Sequence, residues 1–94
     1  MFDLFRKRNI EIIKLVTFFL YFNKEIDGKR LIPILKKDGF ELIHYNILNY
    51  AGKSQWSLKI FKSINIYQLE QVENKLISYA KKFNGEYDGN EVPV

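Results

Sequence analysis

Residues 14–22, KLVTFFLYF, are almost entirely aliphatic, β-branched or aromatic, at odd and even positions alike. A short run of this kind predicts a central strand covered on at least part of both faces. After Asn23, a candidate helix cap, the stretch KEIDGKRLIPILKKDG places Ile26, Leu31, Ile34 and Leu35 roughly on one helical face, with Gly39 as its stop. Proline suits only the first turn of a helix. Pro33 therefore predicts that the regular part begins near Arg30, with Asp27 or Gly28 in a lead-in turn. Residues 40–50 hold no breaker and read as a strand. AGKS, residues 51–54, then links them to QWSLKIFKSI, where Trp56, Leu58 and Ile60 alternate with Ser57, Lys59 and Phe61. So short a link between two extended runs predicts an antiparallel hairpin.

The clearest period follows. From about Asn65 to Phe83, apolar residues recur at Leu69, Val72, Leu76, Tyr79, Ala80 and Phe83, one stripe of a helix. Glu70 and Glu73 near its start and Lys81 and Lys82 at its end complement the helix dipole. Asn84-Gly85 is a strong stop. The tail, NGEYDGNEVPV, reads as a turn at Asp88-Gly89 with a very short edge strand at Glu86-Tyr87 or over 91–94. The order β-α-β-β-α-(β) predicts an α+β, ferredoxin-like sandwich, an antiparallel sheet with two helices on one face. Residues 1–13 are assigned as a basic N-terminal arm or lead-in, and 14–94 as a single ferredoxin-like domain.

Composition narrows the chemistry. The 94 residues are 47% hydrophobic and 16% aromatic, enough for one packed core. There is no Cys, hence no thiolate nucleophile, disulfide or thiolate metal site, which suits a reducing compartment. Net charge is +4, and much of it lies in the arm, at Arg6, Lys7 and Arg8. The apolar run behind that arm is interrupted by Glu11 and Lys14 and followed by Asn23, Lys24 and Glu25, so the expectation is a cytoplasmic protein without a signal peptide.

No catalytic constellation is evident, and the expected answer is a non-enzyme with no cofactor and no metal. His44 is the single histidine, in mid-strand, and AGKS lacks the upstream glycine of a phosphate loop because that position is Ile47. Glu86, Asp88 and Glu91 do not fit the twelve-residue calcium loop. Strand aromatics Trp56, Tyr45, Tyr50 and Tyr21, with Lys59 and Lys62 nearby, suggest a second reading. It is a single-stranded nucleic-acid-binding module using the sheet aromatics and the basic arm. The central strand QWSLKIFKS lacks the Gly-rich aromatic signature of such readers. An uncovered face bearing aromatics is also consistent with a homodimer.

The tail carries a resemblance. Gly85, Glu86, Tyr87, Asp88, Gly89, Glu91, Pro93 and Val94, set behind an amphipathic helix, resemble the ending of the regulator of ribonuclease activity B family. FFLYF, KKDGFEL and SQWSLKIFKSINIYQLEQVENKL extend that resemblance over most of residues 14–94. The chain departs from the pattern at Asn90, where the family typically has Trp, and in its basic charge. The resemblance implies a ferredoxin-like domain and a non-enzymatic regulator of RNA turnover, which binds ribonuclease E through its scaffold region. Partner-binding residues expected on this basis are Tyr87, Asp88 and Glu91 in the tail and Trp56 and Tyr45 on the sheet.

Overall fold

The computed structural model describes residues 12–93; the arm residues Arg6, Lys7 and Arg8 lie outside that range. Strand β1 (Ile13–Phe22) leads to helix α1 (Glu25–Lys37), then β2 (Glu41–Tyr50) and β3 (Lys53–Asn65). One 3₁₀ turn (Ile66–Gln68) precedes helix α2 (Leu69–Lys82), and β4 (Gly85–Glu91) closes the fold. The sheet is antiparallel in the order β2-β3-β1-β4, with β1 and β3 central. This is the ferredoxin-like arrangement. Among the described residues no helix is long and apolar enough to cross a membrane.

Burial along β1 alternates. Val16, Phe18, Leu20 and Phe22 are buried beneath the helices, whereas Leu15, Thr17, Phe19 and Tyr21 face the other way and stay partly exposed. The strand is thus sealed on one side and half-covered at Thr17, Phe19 and Tyr21 on the other, in line with an apolar run covered on at least part of both faces. Leu58, Ile60 and Ile64 of β3 extend the buried layer, which Leu31 and Leu35 of α1, Phe40, and Leu76 and Ala80 of α2 complete. Phe18 and Phe40 meet edge to face at 5.8 Å.

Helix α1 differs from expectation in two ways. It begins at Glu25, so Pro33 lies inside it, and Asp27 and Gly28 are buried helical residues rather than a lead-in turn. Pro33 is exposed, and the carbonyl it leaves without an N–H partner belongs to the exposed Lys29, on the side water can reach. The buried stripe is Asp27, Gly28, Leu31 and Leu35. Ile26 and Ile34 point outward, because the stripe follows i, i+4 spacing from Asp27 and leaves both off its line. The last turn is pinned from two elements: Lys62 Nζ of β3 donates to the Asp38 carbonyl at 2.8 Å, and Lys75 Nζ of α2 pairs with the Asp38 carboxylate at 2.7 Å.

The hairpin turn contains two residues, Ala51 and Gly52, both with positive φ (51° and 78°). This geometry follows the right-handed strand twist, and Lys53 and Ser54 consequently join β3 instead of the loop. Past the Phe22–Trp56 pair, β2 and β3 continue beyond β1 as a two-stranded ribbon.

The tail forms a longer strand than its turn residues suggest. It pairs with β1 from Phe22–Gly85 to Thr17–Glu91. Asp88-Gly89 is a β-bulge rather than a chain reversal: pairing passes from Leu20–Tyr87 to Phe19–Gly89 and leaves Asp88 extra. Gly89 has φ +111°, which permits the local kink without sterically opposed side-chain atoms.

Candidate functional site

The bulge governs how the tail motif presents its side chains. In an unbroken strand, residues 86, 88 and 90 share one face, and 87, 89 and 91 share the other. One extra residue at Asp88 reverses the alternation beyond it. Asn90 therefore falls on the same face as Tyr87, toward α2, and Glu91 on the same face as Glu86, toward the open side of the sheet. The motif is two-sided.

On the inner side, Tyr87 Oη and the Asn90 amide each donate to Glu73 Oε2 at 2.7 Å. One carboxylate of α2 thus clamps two residues of β4. Hydrogen bonds to a charged acceptor are about twice as strong as neutral ones. Asn90, where the family resemblance leads one to expect Trp, is occupied in this clamp. Glu73 reads from sequence only as a dipole-compensating residue. The pairing of a helix glutamate with a Tyr-x-x-Asn tail becomes visible only once β4 lies beside α2.

Tyr45 and Trp56 also lie on the helix-covered side. The Tyr45 hydroxyl donates to the Glu25 carbonyl at 2.7 Å, its ring lies over Gly28, and Trp56 packs on it at 5.2 Å. Their neighbours are core residues, including Phe22 at 6.2 Å from Tyr45. Burial pushes the Tyr45 phenol up to about 12. Burial first, then the hydrogen bond to Glu73, holds the Tyr87 phenol well above the usual tyrosine range.

Both phenols therefore stay neutral in the folded chain at pH values where unfolded tyrosine ionises, near 10. The folded state retains protons that the unfolded state releases, so stability is full below about pH 10 and falls as pH rises toward the folded values. In an ultraviolet tyrosinate titration, Tyr45 and Tyr87 are expected to ionise late and together with unfolding. Six phenols that all titrate near pH 10 while the circular dichroism stays native refute the placement.

The open side of the sheet is chemically different. Phe19, Tyr21 and Phe61 are half-buried there, and Lys59 Nζ sits 5.6 Å above the Phe19 ring. His44 lies across from Lys59, with its buried Nδ1 unbonded. Along the β4 border, Glu86, Asp88 and Glu91 are exposed, and among the described residues none forms an ion pair. Glu86 and Asp88 flank a shallow hollow of about 440 Å³ shared with Tyr21, Leu48, Asn49 and Gln55. No cluster of His, Asp or Glu among the described residues has the makings of a metal site.

The expected binding set is thus divided between two surfaces. Asp88 and Glu91 are on the outer rim, Tyr87 is in the clamp behind it, and Tyr45 and Trp56 are packed beneath α1. Glu86 joins Asp88 and Glu91 on the rim; its position on the strand before the bulge is the signal that could have included it.

Residues 7–92 match the family model for regulator of ribonuclease activity B. The chain belongs to that family. No curated protein matches it. In this family member, the sheet and its two helices form a framework with an acidic border along β4. The tail motif of this member ties that border to the last helix. The family is one of regulators rather than of catalysts.

Proposed function

We propose that this protein is a non-enzymatic cytoplasmic regulator that modulates RNA turnover by binding a ribonuclease or its scaffold. We assign the contact to the acidic border of β4. The family match over residues 7–92 supports the ribonuclease connection. The observation that carries the surface is the exposure of Glu86, Asp88 and Glu91 on one side of a bulged strand, without internal cations among the described residues. Uncompensated carboxylates on a rigid edge suit a basic segment of a protein partner. Such rim charges speed encounter and fix register more than they add affinity.

The same charges weigh against single-stranded nucleic acid on this face, since they would oppose its phosphates. The stacking set is also reduced, because Tyr45 and Trp56 face the helices. A direct test adds the purified chain to ribonuclease E with its scaffold region intact and with that region removed. Slower RNA cleavage is expected only with the scaffold present. The Glu86→Gln/Asp88→Asn/Glu91→Gln variant should need at least about tenfold more protein for the same effect, with weakened salt dependence. Undiminished inhibition by that variant would remove the acidic border from the proposal, and no inhibition by the wild type would sink the ribonuclease assignment.

A further inference from the structure

The two borders of the sheet are not protected alike. The β4 border carries a bulge, three carboxylates and Pro93, the usual devices that deter pairing with a foreign strand. The opposite border, β2, has none of these along residues 44–50, HYNILNY, and no Asp, Glu, Lys, Arg, Pro or Gly over 42–50. Ile43, Ile47 and Leu48 are 45%, 48% and 46% exposed there. Among the described residues no strand pairs with this outer edge.

The backbone pattern of that edge specifies what fits it. A two-residue turn at Ala51-Gly52 makes Tyr50 and Lys53 a hydrogen-bonded pair, so bonding to β3 recurs at residues 48, 46 and 44. The peptide groups of Tyr45, Ile47 and Asn49 consequently point away from the sheet. This set is symmetric about Ile47. A second β2 running antiparallel meets it in register, with Ile47 against Ile47 and each Tyr45 against the Asn49 of the other copy.

Charge agrees with the same register. Residues 42–50 hold no Asp, Glu, Lys or Arg, so two copies of a +4 chain meet there without opposed lysines or arginines. Glu41 is the only acidic residue of β2, and Lys53 is the only charged residue at the hairpin tip, residues 48–55. The bulge at Ile43 absorbs one residue, so Glu41 falls level with the turn of the second copy, beside its Lys53.

We propose that β2 is the site at which a second copy of this chain docks. The two sheets join edge to edge through an isologous ladder centred on Ile47 and closed at both ends by Glu41–Lys53 pairs. Both β4 borders then lie at the outer ends of one continuous sheet.

Sedimentation equilibrium of the full chain up to submillimolar concentration tests this. A monomer–dimer equilibrium is expected. Ile47→Lys, at an exposed position, should raise the dissociation constant at least tenfold while far-ultraviolet circular dichroism stays native. Glu41→Lys should also weaken the dimer, and Glu41→Lys combined with Lys53→Glu should restore it. Leu15→Lys, on the open face away from this edge, should leave it unchanged. A monomer at every concentration overturns the proposal. So does a dimer that tolerates Ile47→Lys but dissociates with Leu15→Lys, or a charge exchange that fails to rescue.

Discussion

Deletion of residues 86–94 is expected to abolish cooperative folding at 25 °C. The cut removes all but the first residue of β4, and with it five of the six residues that pair with β1. Strand β1 carries Val16, Phe18, Leu20 and Phe22, the centre of the core, and would become a bare edge. Tyr87, whose ring packs against that core, is lost together with Val92. Glu73 loses both of its donors. One large partly buried side chain contributes about 2 kcal/mol, and two hydrogen bonds to a carboxylate about 3 kcal/mol together. Added to the ladder, the loss is about as large as the whole stability typical of such domains, near 5–10 kcal/mol. Thermal unfolding followed by circular dichroism checks this. An unchanged midpoint would show that the tail is not docked. Milder variants separate the contributions: Tyr87→Phe and Asn90→Ala should each cost about 1–2 kcal/mol, and the pair should be non-additive because both bond one oxygen.

Gly28→Ala should destabilise the domain by about 2–3 kcal/mol, even though alanine is the better helix former by about 1 kcal/mol. A Cβ at Gly28 would overlap the Tyr45 hydroxyl and ring carbons. The ring cannot simply move aside. It is bonded to the Glu25 carbonyl, stacked on Trp56 and edge-on to Phe22. Displacing it breaks the contact that seats the first turn of α1 on β2. The midpoint should fall by about 10–20 °C, given 4–8 °C per kcal/mol for a domain of this size. In a Tyr45→Ala background the overlap is gone, and Gly28→Ala should become neutral or stabilising. If it remains equally destabilising there, the tyrosine contact is not the cause.

These two variants mark where sequence reading stopped. The lead-in turn expected at Asp27-Gly28 rested on local propensity: Gly and an internal Pro argue against helix. Tertiary packing overrode it, since a smaller residue than alanine is needed where Tyr45 crosses α1, twenty residues away from Glu25 by its hydrogen bond. Similarly, Asp88-Gly89 has the composition of a turn. Its neighbour β1 made it a bulge, because Phe19 and Leu20 supplied a ladder on both sides of it. A dipeptide states that the chain can kink; the partner strand decides whether it reverses or continues.

By itself, the sequence determined the order of elements, the antiparallel hairpin and the α2 stripe from Leu69 to Phe83. It also determined the absence of thiol chemistry, and the tail motif revealed the family. Each follows from side-chain period, turn chemistry or composition, which are properties of neighbours along the chain. Only the tertiary structure decided which face each aromatic serves, that Glu73 clamps Tyr87 and Asn90, and that Glu86, Asp88 and Glu91 share one border. Those depend on a single extra residue in β4 and on its register against β1. A shift of one position there turns every later side chain to the opposite face, and no local pattern in the tail encodes that choice.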